Sequence, residues 1–135
     1  MKKLLMSLSI LLFVFSTSVF AADVSVKTPE VKVIATDQKS AVVSMELDNK
    51  SDALVTVVAA TSPVAGETQL HETIDGKMKQ VEDIQIRPNS DDHLQKNGFH
   101  VMLLDIKSPL VVNQIIPITL TFSDGSDMVV NAKVE

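Results

Sequence analysis

The sequence predicts an all-β fold of the sandwich or barrel class, and three features of the chain support this. No window has apolar residues at a sustained period of 3.6, as an amphipathic helix would require. Short segments rich in β-branched residues recur at roughly even spacing, each bounded by Gly, Pro, Asn, Asp or Ser. Two boundaries, Asn97-Gly98 and Asp124-Gly125, are typical of hairpin turns in which both central residues have positive φ.

The first residues of the chain have the features of a secretory signal peptide. Two lysines precede an apolar run from Leu4 to Phe15, and Val19 and Ala21 fit a small-residue cleavage site. The apolar run is shorter than the roughly 20 residues that span a bilayer. We therefore predict a signal peptide over 1–21 and one β-domain over 22–135, exported to the periplasm. Because no Cys follows the apolar run, we expect neither a lipid anchor nor membrane attachment after cleavage.

The predicted strands follow the alternation of apolar residues. In residues 22–36 we predict an edge strand and then a second strand, because Pro29 interrupts the run and has no N–H to donate. In residues 41–52 the side chains of Val43, Met45 and Leu47 share one face. The segment after it is almost continuously apolar, which indicates a buried strand.

Further predicted strand segments complete the chain. They are GETQLHETI, KMKQVEDIQI, HLQ, FHVMLLDI, IIPITLTFSDG and DMVVNAKVE. In the last segment Met128 shares a face with Val130 and Ala132. Met128 is therefore predicted to fill a gap in the core, as is Met45.

Charge and composition exclude several functions. Without the two N-terminal lysines, 10 basic and 17 acidic residues leave a net charge of −7, which argues against nucleic acid and anionic membranes and favours a cation. The absence of Cys excludes thiol catalysis, cysteine zinc sites and a blue-copper centre. No serine-hydrolase elbow, Gly-rich phosphate loop or H-E-x-x-H motif occurs, so we predict that the protein is not an enzyme.

Two histidines and two methionines form a candidate metal site. His71 and Met78 flank the Asp75-Gly76 turn, so a hairpin would place them on neighbouring strands. His100 and Met102 are two residues apart on a strand, so their side chains leave the same face with Cα atoms roughly 6.5 Å apart. Imidazole and thioether groups are the soft and borderline ligands that suit copper, and thioethers select Cu(I).

Another interpretation of the same residues needs no metal. Met102 would then be a packing residue and His100 a surface residue. The protein would in that case be a metal-free sandwich that binds a protein partner through an edge strand. In either interpretation we predict that Val101 and Leu103 face the core and that His93 is solvated.

Residues 31–134 resemble the periplasmic PCuAC-type copper chaperones. The similarity lies in SPVAGETQLHE, in a Met followed by 21 residues and then HVML, and in IKSPLVVNQIIPITLTFSDG. The resemblance implies a cupredoxin-like Greek-key β-barrel or sandwich that binds one Cu(I). The ligands that it implies are His71, Met78, His100 and Met102.

The resemblance also implies a function and its partners. It implies copper delivery to cytochrome oxidase assembly at the binuclear copper site, with an oxidase subunit or assembly factor as acceptor; copper storage or resistance is the alternative. We expect a monomer. The hairpin between His71 and Met78 is shorter than in the family, and Glu72 stands where the family often has Met. Glu72 is a hard ligand that would suit Cu(II) rather than Cu(I).

Overall fold

A computed structural model describes residues 24–34, 39–94 and 99–135, and for 90–94 it describes the backbone alone. These described segments contain ten strands: β1 Val24–Val33, β2 Ala41–Asn49, β3 Val55–Thr61, β4 Ala65–Ile74, β5 Lys77–Gln80, β6 Ile84–Ile86, β7 Ser90–Leu94, β8 Phe99–Ile106, β9 Ile115–Phe122 and β10 Asp127–Val134. The described segments contain no helix long and apolar enough to cross a membrane. The predicted all-β class is confirmed. The predicted signal peptide and the Asn97-Gly98 turn lie outside the described residues.

The ten strands form one continuous sheet that folds round a single core. Their order is β5-β4-β8-β7-β2-β1-β10-β9-β3-β6, and β8 also pairs directly with β2. One hydrophobic cluster contains residues from both ends of this order, including Leu70 and Leu103 from one half and Ile86 and Ile118 from the other. The two halves therefore face each other across the core. The core positions predicted for Met45 and Met128 are confirmed, because Met45 is buried in this cluster and Met128 packs against it.

The N-terminal strand differs from the prediction of two short strands. β1 is one strand with a bulge between Lys27 and Glu30, where Thr28 has a φ of 48°. A bulge leaves a residue unpaired, so the missing N–H of Pro29 removes no regular ladder bond. β1 is also not an edge strand, since it pairs with β2 on one side and with β10 at Glu30 and Val31 on the other.

The segment KMKQVEDIQI was predicted as one unit and instead forms strands on opposite edges of the sheet. Among the described strands β5 pairs only with β4, and all four of its residues are exposed. By contrast, β6 pairs with β3 and buries Ile84 and Ile86 in the core. The polar KMKQ stretch has no apolar face to bury. The I-Q-I stretch alternates apolar and polar residues and therefore has an apolar face to bury. Because of this difference, the two strands do not form one unit.

The two Asp-Gly turns have different geometries. Asp75 and Gly76 have φ values of 51° and 77°, as a type I′ turn requires. At the second turn only Gly125 has positive φ, 87°, so the expectation of positive φ at both positions is wrong there. Asp124 Oδ1 instead accepts hydrogen bonds from the Ser126 N–H and hydroxyl at 2.9 and 2.6 Å, which lower the pKa of Asp124. The predicted hairpin itself is confirmed, since β9 and β10 pair along their length.

A fully buried asparagine ties the β2–β3 turn to β6. Asn49 Nδ2 donates to the carbonyl oxygens of Ala53 and Ile86 at 2.9 and 3.1 Å. Its Oδ1 accepts from the Ser51 N–H at 3.0 Å and the Ser51 hydroxyl at 2.6 Å. Asn49 thus satisfies polar groups of a turn and of a strand that lies at the far edge of the sheet.

Candidate metal centre

The four predicted ligands lie on one face of the three neighbouring strands β5, β4 and β8. Opposite residues of an antiparallel ladder share a face, and so do residues two apart on one strand. His71 lies opposite His100, and Met102 is two residues further along β8. Met78 lies opposite Thr73, which is two residues from His71. We call this surface the ligand face.

The two histidines form the centre of the ligand face. Their ring centroids are 5.7 Å apart and the ring planes are tilted by 51°. The Nδ1 atom of His71 is buried and has no hydrogen bond among the described residues. The Nε2 atom of His100 is also buried and accepts or donates no hydrogen bond within the described part of the chain, while His100 as a residue does have a further interaction. A buried ring nitrogen that carries no hydrogen has a lone pair suited to a metal ion, and a neutral imidazole is a common metal ligand.

The two methionines flank His71 on opposite sides. Met102 on β8 and Met78 on β5 are each a diagonal neighbour of His71 in the ladder. Diagonal neighbours are roughly 7–8 Å apart, which is within reach of long side chains. His71 is therefore the one residue of the four that adjoins each of the others.

Burial of the ligand face differs from what the sequence predicts. The metal-free interpretation placed His100 at the surface, but His100 and Met102 are 0% and 4% exposed. Met78 is 40% exposed. The prediction that Val101 and Leu103 face the core is confirmed, so β8 is buried on both faces. The nearly continuous apolar run FHVMLLDI is the sequence signal for such a strand.

Sequence reasoning missed a polar residue beside the site. Gln69 Oε1 lies 2.7 Å from His71 Nε2, and Gln69 Nε2 donates to Glu67 Oε1 at 2.6 Å. The signal for this row was present in the sequence, because Glu67, Gln69 and His71 alternate along β4 and therefore share a face.

The pKa of His71 is lowered, first by burial and second by the charge of His100. The folded protein therefore binds fewer protons than the unfolded chain at pH values between the lowered pKa and the ordinary value of 6.5. The contribution of His71 to the stability of the folded protein is therefore fully present above pH 6.5 and is lost as the pH falls through its lowered pKa.

We expect the free energy of unfolding of the metal-free protein to decrease below about pH 6.5 through His71. Urea unfolding of the wild type and of His71→Gln at about pH 7.5 and about pH 5.5 checks this, because glutamine does not titrate. The wild type should lose more stability than the variant between the two pH values. Equal losses of stability in the two proteins would contradict the lowered pKa of His71.

Other candidate ligands do not join the ligand face. Glu72 alternates with His71 along β4 and so belongs to the opposite face, which removes it as a partner for Cu(II) at this site. The backbone of His93 pairs with Glu46, and its side chain lies outside what the structure describes. Among the side chains that the structure describes, those of residues 24–34, 39–89 and 99–135, there is no group of three or more His, Cys, Asp and Glu residues that could hold a metal.

The fold and the site define a class: an all-β domain that presents imidazole and thioether groups together on one sheet face. The chain belongs to the LpqE-like family, since the model of that family, described as putative lipoprotein LpqE-like, matches residues 24–134. A relative from Leifsonia xyli subsp. xyli, the putative lipoprotein Lxx21020, is 37% identical over 86 residues, which are 60% of this chain. The chain spans about half the length of that relative, 52%.

Solved structures of PCuAC domains share the fold. The copper-bound PCuAC domain from PmoF2 superposes with a TM-score of 0.72 at 21% identity, over 84% of this chain and 92% of that one. The Cu(I) form of DR1885 from Deinococcus radiodurans gives a TM-score of 0.68 at 31% identity, over 83% and 76% of the two chains. The metal-free form of DR1885 gives 0.65 at 33% identity, over 84% and 78%. The predicted cupredoxin-like class is confirmed.

Proposed function

We propose that this protein is an exported, periplasmic metallochaperone that binds one Cu(I) ion and delivers it to cytochrome oxidase assembly, at the binuclear copper site. The proposed ligands are His71, Met78, His100 and Met102. The proposed acceptor is an oxidase subunit or an assembly factor, and the protein itself is not an enzyme.

The observation that carries the proposal is that two imidazoles and two thioethers lie on one sheet face. His71 and His100 face each other at 5.7 Å between ring centroids, with Met102 diagonal to His71. Neutral nitrogen and thioether donors without thiolate hold Cu(I) and still allow it to leave, which transport requires and storage does not. Two domains of the same fold are described as copper-bound and as a Cu(I) form, which supports the choice of metal. The lipoprotein descriptions of the family and of the Leifsonia relative support export.

The burial of the four side chains suggests how the ion enters and leaves. His100 and Met102 are buried, His71 is half-buried, and Met78 is exposed. Among the described residues, Met78 is the most exposed of the four, so the proposed route for an acceptor is from the side of Met78. Replacement of the Met78 thioether by a ligand of the acceptor is the first step of transfer in this mechanism.

Anaerobic titration with Cu(I) followed by X-ray absorption tests the proposal. One equivalent of Cu(I) should be retained, with nitrogen and sulfur scatterers both in the coordination shell. Transfer of that ion to a metal-free binuclear-site domain of an oxidase, followed by the absorption of the acceptor, tests delivery. Failure to retain Cu(I) would refute the proposal, and retention without transfer would favour storage.

We expect Met78→Leu to weaken Cu(I) binding by at least about 10-fold, the smaller of the losses seen even for groups that only support a metal ligand. The three remaining donors still hold the ion. Because the side chain is exposed, the free energy of unfolding should change by less than about 0.5 kcal/mol. Competition with a chromophoric Cu(I) chelator measures the affinity. An affinity within twofold of the wild type would remove Met78 from the ligand set.

A further inference from the structure

The row Glu67–Gln69–His71 on β4 has a chemical direction. A carboxylate can only accept hydrogen bonds, so Glu67 Oε1 must face the amide NH₂ of Gln69, as the 2.6 Å contact has it. This fixes the Gln69 side chain with its oxygen toward His71 Nε2, 2.7 Å away. An amide oxygen also only accepts, and therefore Nε2 must carry the hydrogen and donate it.

The position of this hydrogen determines which nitrogen of His71 can bind a metal. A neutral imidazole has one N–H, so a hydrogen on Nε2 leaves a lone pair on Nδ1. Nδ1 is the ring atom of His71 that is buried without a hydrogen bond among the described residues. A ring nitrogen engaged as a donor to a neighbouring group orients the opposite nitrogen toward the metal in known sites.

We infer that Gln69, itself held by Glu67, is a positioning residue that keeps His71 in the tautomer with Nδ1 unprotonated and thereby makes Nδ1 the atom that binds Cu(I). The metal-binding half of this inference rests on the proposed function. The tautomer half is a property of the metal-free protein. Gln69 also lies opposite Met102 in the ladder, so it borders the ligand face on the side of the second thioether.

The inference is tested with the full chain labelled with ¹⁵N at histidine. In the metal-free wild type at about pH 8, where imidazole is neutral, the spectrum should show His71 protonated at Nε2. Addition of Cu(I) should shift the ¹⁵N resonance of His71 Nδ1 and leave His71 Nε2 protonated. Gln69→Leu should raise the share of the other tautomer and weaken Cu(I) binding by about 10- to 100-fold, as loss of a partner of a metal ligand does.

Two further variants separate this role from a general effect on structure. Gln69→Glu keeps an acceptor for Nε2–H and should retain the wild-type tautomer. Gln80→Leu changes the residue directly opposite His71 on β5 and should alter neither tautomer nor affinity. The inference is overturned if wild-type His71 is protonated at Nδ1, if Cu(I) binds Nε2, or if Gln69→Leu changes nothing. A wild type that shows the expected tautomer and retains no Cu(I) would overturn the proposed function and the metal-binding half alone.

Discussion

Replacement of Met102 with leucine is expected to weaken Cu(I) binding by about 100-fold or more while the fold remains intact. Loss of a partner that only supports a metal ligand costs about 10- to 100-fold, and loss of a ligand itself costs at least as much. Leucine is close to methionine in volume, so the 4%-exposed site stays filled and the free energy of unfolding should fall by less than about 1.5 kcal/mol. Alanine would instead leave a cavity and confuse loss of binding with loss of stability.

The matched control is Met128→Leu. Met128 lies on β10 and packs against the core, away from the ligand face. This variant should bind Cu(I) like the wild type and have a similar stability. Chelator competition gives the affinities, and chemical unfolding of the metal-free proteins gives the stabilities. If Met102→Leu binds Cu(I) as tightly as Met128→Leu does, the thioether of Met102 is not a ligand and the sequence resemblance misassigns it.

Replacement of Asn49 with alanine is expected to destabilise the protein by about 3 kcal/mol. Each buried polar group that loses its partner costs about 1–3 kcal/mol, and the change removes both donors and the acceptor of Asn49. The carbonyl of Ile86 is the most affected, since its hydrogen bond with Asn49 is buried. The total free energy of unfolding of a native protein is about 5–15 kcal/mol, so a loss of about 3 kcal/mol is a large part of it.

Urea unfolding of the metal-free protein measures this effect, with Asn131→Ala as the control. Asn131 is exposed on β10, and its replacement should change the free energy of unfolding by less than about 0.5 kcal/mol. A small effect at both positions would mean that water satisfies the turn when Asn49 is absent. In that case the asparagine does not tie the turn to β6.

The arrangement of the ligand face explains why composition alone could not reveal the site. His71 and His100 are far apart in the sequence, and only the β4–β8 register makes them opposite neighbours. A shift of that register by one residue would place His100 on the other face of the sheet. The H-x-M spacing determined that His100 and Met102 share a face, whichever strand lies beside them.

Two strand predictions failed because local pattern does not identify the partner of a strand. Pro29 suggested an interruption, yet the tertiary structure accommodates it at a bulge within a strand paired on both sides. KMKQ and IQI are close in the chain and pair with β4 and β3 at opposite edges of the sheet. Pairing of this kind depends on long-range contacts that no short window of sequence contains.

The sequence by itself determined the all-β class, the inward faces of β2, β8 and β10, and the residue types that suit Cu(I). These follow from alternation along a single strand and from the chemistry of each side chain, both of which are local. Only the tertiary structure decided that His71 adjoins the other three candidate ligands, that Met102 is buried while Met78 is exposed, and that Gln69 contacts His71. Those facts depend on strand order and register, which are set by burying the apolar faces of the whole chain at once.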